Sequence, residues 1–316
     1  MSALYAEGVL DSNSPNLPAA VALEIATGLV MGEELPYWQV QLDLGGAYRM
    51  LASDTPAGVR AIERREVDVA IVNPSVILTL AYRGTGPFSQ PVPVRALGVV
   101  PSYDQLALCV SSDTGLTCLE DIPARQFPLR LSNRGQPGHS VHDVLDDVFT
   151  AAGFSREDIV RWGGSMHYDP GFFEPSRLGM VASHQVDAVF DEAVYLWLDK
   201  ALDMGFRVLP LGAATLEKLE SIGYRPTVID KESYPGLAHD INTIDFSGFA
   251  IFVHADTPDD QVRLMCEGIE RNRERIFWEG YGPLPTQFFC KDTPDGPLDV
   301  PLHPAAEAFW RQQGYL

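Results

Sequence analysis

Hydrophobic residues recur along the chain in two periods, the short period of strands and the longer one of helices. Five apolar residues of 141–152 fall at helical spacing, which predicts an amphipathic helix; they are Val141, Val144, Leu145, Val148 and Phe149. Apolar runs predict strands at 3–10, 38–44, 67–72, 94–100, 105–111, 129–132, 159–162, 186–190, 206–211 and 249–253. Further helices are predicted at 17–31, after Pro56, after Ser75, and at 193–202, 257–278 and 304–313. This alternation of strands and helices predicts an α/β protein.

Two of the predicted helices begin with residues that cap a helix. The segment Thr257–Asp260 combines a capping hydroxyl, a proline in the first turn and two acidic side chains. Ser53–Pro56 has a similar combination, and the helix after it is expected to bury Val59 and Ile62.

Length predicts two lobes, and net charge excludes some classes of binding partner. The chain has 316 residues, of which 46% are apolar, so two lobes are expected. Its formal net charge of −20 repels nucleic acid and anionic membrane surfaces, so no nucleic-acid partner is expected. The longest apolar stretch, 67–82, is interrupted by Asp68 and by Asn73–Ser75. It therefore does not provide the roughly 18 apolar residues of a membrane helix, and no stable membrane insertion is expected.

The four cysteines do not form a metal or redox motif. Cys109 and Cys266 lie in apolar patterns and are expected in the core, and one disulfide among the four remains open, with Cys118 and Cys290 as the others. The sequence contains no P-loop, no G-x-S-x-G turn and no dinucleotide-binding glycine motif. The spacing of His139 and His142 is too weak to predict a metal site, so neither a metal nor a cofactor is predicted.

The loop 132–140 is the first candidate binding site. It joins a predicted strand to the amphipathic helix, and the free N–H groups at such a helix start favour an anion. Arg134 can bind a carboxylate with two hydrogen bonds, and Gly135 and Gly138 allow a close approach of the backbone. His139 and Ser140 complete the candidate set. The alternative is an ordinary strand–helix turn, which glycine also serves.

Three further candidates follow predicted strands. Asn73 and Ser75 lie at the end of a buried strand, where ligands of α/β sheets bind, or they serve to begin the next helix. Asn13 and Asn16 follow the first strand. The third candidate is the segment Asp191–Glu192, which either binds an amine or acts in acid–base chemistry, or caps a helix. The polar segment 165–169, with His167, either lines a cleft or is a plain loop.

Several segments together resemble the TAXI-type solute-binding proteins of TRAP transporters. The C-terminal Pro301–Ala306, with the sequence Pro-Leu-His-Pro-Ala-Ala, is similar to the family's terminal motif. Weaker similarities lie at 59–62, 66–72, 95–98, 113–116, 135–140 and 257–260.

The resemblance implies a type II periplasmic-binding-protein fold with a cleft between two lobes. Lobe one is expected at 1–112 plus 245–316 and lobe two at 113–244. The implied function is hinge closure on a small carboxylate or amino acid for delivery to TRAP permease subunits. The location is periplasmic if a signal peptide was removed and cytoplasmic if Met1 is the native start.

The alternative function is a cytoplasmic enzyme on the same fold. It would be decarboxylase-like or isomerase-like and would act on a small carboxylate. Its acid–base candidates are His139, His167, Asp191 and Glu192.

Overall fold

Strands form where the sequence alternates or is continuously apolar. The computed structural model describes residues 39–43, 49–136, 138–169, 175–276, 278 and 280–316. The strands of this part are β1 (Gln39–Asp43), β2 (Arg49–Ser53), β3 (Val69–Val72), β4 (Val94–Val100), β5 (Ala107–Ser111), β6 (Arg130–Arg134), β7 (Ser165–Asp169), β8 (Ala188–Asp191), β9 (Phe206–Val208), β10 (Pro226–Ile229), β11 (Ile241–Ile244) and β12 (Phe249–His254).

Helices alternate with these strands, which confirms the predicted α/β class. They are α1 (Ala57–Glu63), α2 (Val76–Arg83), α3 (Asp121–Arg125), α4 (Ser140–Ala152), α5 (Arg156–Arg161), α6 (Pro175–Ala182), α7 (Val194–Asp203), α8 (Ala213–Ile222), α9 (Asp259–Asn272), α10 (Thr286–Phe289) and α11 (Pro304–Gln312).

The chain divides into two compact units. The first comprises Met1–Tyr103 and Ser247–Leu316, described from Gln39 onward, and the second comprises Asp104–Phe246. The sheet of the first unit has the order β1-β2-β3-β12-β4. β2 and β3 are parallel, while β12 runs antiparallel to both of its neighbours. The returning C-terminal part of the chain therefore supplies an inner strand of the first sheet.

The core of the first unit lies between its sheet and two C-terminal helices. Val262 and Ile269 of α9 and Phe309 of α11 belong to one buried apolar cluster with residues of β3, β4 and β12. Trp310 of α11 is fully buried, and its indole N–H donates to the carbonyl of Leu97 in β4 over 2.9 Å. Burying the indole without this acceptor would cost an unsatisfied donor.

The C-terminal motif has a structural explanation. The N–H of Ala96 donates to the carbonyl of Pro301, and the N–H of His303 donates back to the carbonyl of Ala96. The His303 side chain is buried, and its Nδ1 accepts the N–H of Ala305 over 3.2 Å. His303 therefore caps α11, with Pro304 in the first turn, and the segment is held along β4.

The second unit has its own mixed sheet. The order is β7-β6-β8-β5-β9, and a separate two-stranded sheet pairs β10 with β11. β6 is parallel to both β7 and β8, so the carboxyl ends of these three strands meet at one edge. β5 pairs antiparallel with β8 and β9. Residues 107–111 therefore form a strand of the second unit's sheet, whereas lobe one was expected to extend to residue 112.

Two sequence predictions of buried helix faces are confirmed. All five apolar residues of the α4 stripe, Val141 to Phe149, are fully buried. Val59 and Ile62 of α1 are also fully buried. α4 is capped at its C-terminus by Gly153, whose φ of 89° is in the left-handed region that glycine adopts without strain. Helical spacing therefore identified the buried face of both helices correctly.

The strand predicted at 159–162 is wrong. These residues belong to α5 and the turn after it, because Ser155 and Asp158 form a reciprocal capping box that begins a helix. Ile159 is buried while Val160 is exposed, as a one-sided helix requires. The polar segment 165–169, which was predicted either to line a cleft or to be a plain loop, forms strand β7.

One further predicted helix is shorter than expected, and two predicted elements fall on residues that the structure does not describe. The helix predicted at 257–278 ends at Asn272. The segments predicted at 3–10 and 17–31 lie outside the described residues. Within the described residues, no helix is long and apolar enough to span a membrane.

Candidate functional site

Charged side chains converge at the carboxyl edge of the second sheet. Arg134, Asp169 and Asp191 are the last residues of the parallel strands β6, β7 and β8, and Glu192 follows directly. Arg134 and Asp169 face each other in register. This edge is where parallel α/β sheets bind ligands, because the strands end there and loops begin.

Six buried side chains form what we call the charged cluster. It consists of Ser132, Arg134, Asp169, Arg177, Asp191 and Glu192. Each of these residues is less than a tenth exposed, which is rare for ionisable groups unless they are paired.

Asp191 joins the two arginines of the charged cluster. Its Oδ2 accepts a hydrogen bond from Nη1 of Arg177 over 2.6 Å, and its Oδ1 lies 3.4 Å from Nε and Nη2 of Arg134. Nη2 of Arg134 also donates to Oε1 of Glu192. Arg134 is thus shared by two consecutive carboxylates.

A hydroxyl extends the cluster to β7. Nε of Arg177 donates to Oγ of Ser132 over 2.8 Å, and this hydroxyl donates to Oδ2 of Asp169 over 2.5 Å. Sequence reasoning did not single out Arg177. Its partners Ser132 and Asp191 are distant in the chain, so no local pattern around Arg177 marks it.

Glu192 has an unusual protonation equilibrium. Burial raises the pKa of its carboxyl, Arg134 and Arg177 oppose this, and Asp191 adds to it, with the result that the pKa lies at about 7. Glu192 therefore changes charge near neutral pH, unlike an exposed glutamate.

His139 is the N-cap of α4. Its Nδ1 accepts the N–H of Val141 over 3.0 Å, so a proton on the neutral ring lies on Nε2, 3.7 Å from Oε1 of Glu192. Burial, the charge of Arg134 and that of His142 lower the pKa of His139 well below its ordinary value. A neutral imidazole thus occupies the helix start at which the sequence predicted an anion.

The two glycines of the loop have local backbone reasons. A Cβ on Gly135 would lie 2.8 Å from the backbone C and O atoms of Asp169. The N–H of Gly135 donates to that carbonyl over 2.5 Å, so the loop is tied to the end of β7. Gly138 has a φ of 75°, which is left-handed. Ser140 is the first residue of α4 and is fully buried.

The remaining predicted residues lie elsewhere. In the first unit, Nδ2 of Asn73 donates to the carbonyl of Gly248 over 3.1 Å, and Oγ of Ser75 donates to that of Ser247 over 2.8 Å. Both side chains hold the returning chain segment. Asn13 and Asn16 lie outside the described residues.

His167 lies in the middle of β7. Its Nε2 is 2.8 Å from Oγ of Ser165, two residues earlier on the same strand. Its backbone pairs with Ser132 in the β6–β7 ladder, but among the described residues no side-chain hydrogen bond or ion pair joins His167 to the charged cluster.

The described His, Cys, Asp and Glu side chains bear on the predictions about metal binding and about the cysteines. In the described part of the chain, no group of three His, Cys, Asp or Glu side chains is placed to hold a metal ion. All four cysteines are free thiols, and the expected burial of Cys109 and Cys266 is confirmed.

The sequence matches one family. Residues 56–314 match the model of the NMT1-like family. No curated protein matches the chain in sequence. The matched range contains the whole charged cluster, and Asn13 and Asn16 precede it.

Solved structures similar to the chain include three from different bacteria. A TctC solute-binding protein from Polaromonas is 14% identical, over 94% of this chain and 91% of that one, with a TM-score of 0.41. The alkanesulfonate-binding protein SsuA from Xanthomonas axonopodis pv. citri, bound to MOPS, is 16% identical over 81% and 72%, with a TM-score of 0.32. Lactococcal OpuAC complexed with glycine betaine is 10% identical over 96% and 93%, with a TM-score of 0.38.

Proposed function

The chain belongs to the NMT1-like family, and on this premise we propose that it is a solute-binding protein for a small organic acid or amino acid. The observation that carries the proposal is the sharing of buried Arg134 by Asp191 and Glu192 at the carboxyl edge of parallel strands. Such an arrangement offers both signs of charge to a ligand in a water-poor site.

The charged cluster suits a ligand with a carboxylate. An arginine binds a carboxylate through two parallel N–H groups, and these hydrogen bonds are stronger when both partners are charged. Asp191 contacts Arg134 only at 3.4 Å, so a ligand carboxylate could compete for this guanidinium. Glu192 offers a carboxyl to the amino group of an amino acid. Both ligand classes therefore have a receptor group here.

The finer assignment concerns transport. We propose that the protein is of the TAXI type and delivers its ligand to TRAP permease subunits in the periplasm. The support is the sequence of Pro301–Ala306 and the weaker similarities along the chain. His303 in this motif caps a helix, so the motif has a structural role in the first unit.

One observation favours a second candidate function. A carboxyl whose pKa is about 7, lying 3.7 Å from a neutral imidazole, has the properties of an acid–base pair. The alternative is therefore an enzyme that moves a proton on a small carboxylate, with Glu192 and His139 as the groups involved.

Isothermal titration against a panel of carboxylates and amino acids tests the proposal. We expect at least one panel member to bind and to be recovered unchanged. Arg134→Gln should weaken binding by about 30-fold or more, since a charged hydrogen bond contributes about 2 kcal/mol. Arg161→Gln is the matched control, because Arg161 lies exposed on α5 and pairs with Asp158 of its own helix.

Two outcomes would contradict the proposal. Folded protein that binds no panel member would remove the binding function. Conversion of a panel member into a product, lost in Glu192→Gln, would replace binding by the enzyme alternative. Arg134→Lys keeps the charge without the planar fork, so it serves if Arg134→Gln does not fold.

A further inference from the structure

The charged cluster contains one more carboxylate than it has guanidinium groups. Its carboxylates are those of Asp169, Asp191 and Glu192, and its guanidinium groups are those of Arg134 and Arg177. His139 beside them is neutral, because its pKa is held well below the ordinary value. With every carboxyl ionised, the cluster therefore has a net charge of −1 before any ligand binds.

We propose that the ligand binds as a carboxylate on Arg134 together with one proton, which Glu192 takes up. This inference rests on the proposed function and specifies it: the captured species is a carboxylic acid in its anionic form plus a proton. An amine would be expected to release a proton from the same site.

The structure distinguishes Arg134 from Arg177 as the receptor group. The side chain of Arg177 is 2% exposed and is engaged by Asp191 and Ser132. The side chains of Arg134 and Glu192 are 8% and 12% exposed, whereas that of Asp191 is wholly buried. An arriving ligand therefore meets the pair of Arg134 and Glu192 first.

Charge balance requires the proton. A ligand carboxylate on Arg134 adds a second uncompensated negative charge to a buried cluster, and such a charge is costly away from water. Glu192 is the carboxyl able to relieve it. Asp191 is hydrogen-bonded by both arginines, and Asp169 accepts the hydroxyl of Ser132.

Within the described residues, the other elements around Glu192 present neutral or acidic groups to it. His139 of α4 is neutral, and burial also lowers the pKa of His142. Trp197 of α7 donates its indole N–H to the backbone carbonyl of Glu192. Asp104, next to the turn after Glu192, is a further acid. The charges that act on the pKa of Glu192 are those of Arg134, Asp191 and Arg177.

The pKa of Glu192 supports the proposal that this carboxyl takes up the proton. Its pKa in the free protein is about 7. In the free protein, Arg134 lowers this pKa. A ligand carboxylate would engage Arg134 and would add a second anion, and both changes raise the pKa of Glu192. The pKa of Glu192 is thus higher in the complex, and by linkage protons are taken up on binding. Affinity should be constant below about pH 7 and fall up to tenfold per pH unit above it.

The closing experiment measures proton uptake with succinate as the carboxylate probe and ethanolamine as the amine probe. Titration calorimetry is run at about pH 8 for succinate, where Glu192 is mostly ionised, and at about pH 6 for ethanolamine, where it is mostly protonated. At each pH, two buffers that differ in ionisation enthalpy give the number of protons exchanged. We expect uptake approaching one proton per succinate in the wild-type protein. Glu192→Gln should bind succinate with no uptake and with a flat pH profile. Glu217→Gln should match the wild type, because Glu217 is exposed on α8.

Each result decides between the possibilities. Succinate binding without proton uptake, or uptake retained in Glu192→Gln, would overturn this inference and leave the proposed function standing. Ethanolamine binding with proton release, and no response to succinate, would also overturn it. No binding by any acid or amino acid of the panel would instead remove the proposed function. The wild-type buffer comparison remains decisive if Glu192→Gln does not fold.

Discussion

The carboxylate of Asp104 accepts the backbone N–H of Ala193 through Oδ2 over 2.9 Å. Its Oδ1 accepts the N–H of Gln105 over 2.7 Å, and its own carbonyl accepts the N–H of Phe246. Ala193 follows Glu192 and has a φ of 52°, a left-handed conformation that costs a non-glycine residue about 1 kcal/mol. Asp104, the first residue of the second unit, therefore holds the strained turn that places Glu192 beside Arg134.

The first prediction treats Asp104 as a positioning residue. In Asp104→Asn one side-chain oxygen becomes an amide that cannot accept, so one of the two N–H groups loses its partner. We expect a loss of about 1–2 kcal/mol in the free energy of unfolding. We also expect about tenfold weaker succinate binding at temperatures where the protein is fully folded.

The control for Asp104 is Asp199→Asn, an exposed position of α7. It should change the stability by less than about 0.5 kcal/mol. Unchanged succinate affinity and an unchanged pKa of Glu192 in Asp104→Asn would limit Asp104 to a purely structural role.

A second prediction concerns stability against pH. The folded-state pKa of Glu192, about 7, lies above its ordinary value of 4.5, so the folded state binds more protons in this range. Stability from this group is present below about pH 4.5 and is lost as the pH rises to about 7. The loss should reach about 3 kcal/mol.

Chemical denaturation at a series of pH values checks this. Glu192→Gln should flatten the decline between those two pH values, since the amide does not titrate. A decline of equal size in this variant would assign the pH dependence to other groups.

The third prediction compares two glycines. Gly135→Ala should destabilise the protein by about 2 kcal/mol, because its Cβ would lie 2.8 Å from the backbone of Asp169. Gly179→Ala, on the exposed side of α6 with no atom within 4 Å of a Cβ, should stabilise it by about 0.5 kcal/mol or more. Thermal unfolding of both variants measures the difference, and equal shifts in Tm would refute the close approach at Gly135.

The fourth prediction tests the cap in the C-terminal motif. His303→Ala removes the acceptor for the N–H of Ala305 and leaves a small cavity, which should cost about 1–2 kcal/mol. His303→Asn can accept the same N–H and should recover part of the loss. His239→Ala, at an exposed position, should be nearly neutral by the same denaturant measurement. If Asn recovers nothing, packing of the imidazole and not capping explains the motif.

Local patterns were sufficient wherever neighbours in the sequence decide the structure. The stripe of α4 and the strands β3, β4 and β12 follow from periodicity. Helices α1 and α9 begin close to the predicted positions, but the N-cap residue of each is a proline and no side-chain cap hydrogen bond forms. The strand predicted at 159–162 failed because two apolar residues do not distinguish a strand from a short helix. The capping box of Ser155 and Asp158, three residues apart, was the signal that would have corrected it.

The candidate site was only partly accessible to such reasoning. Arg134, His139, Asp191 and Glu192 were each selected because they follow a strand. Their mutual contacts and the role of Arg177 could not be derived, since β6 and β8 are joined by more than fifty intervening residues of chain.

The sequence by itself determined the α/β class, the buried helix faces and the positions at strand ends where charge is tolerated. Those features depend on the period of apolar residues and on groups within one turn of each other. Tertiary structure alone decided that Arg134 is shared by two carboxylates and that Arg177 and Ser132 complete the charged cluster. The physical reason is that burial and Coulomb interaction depend on distance in space, and parallel pairing of β6, β7 and β8 brings distant segments of the chain to one edge.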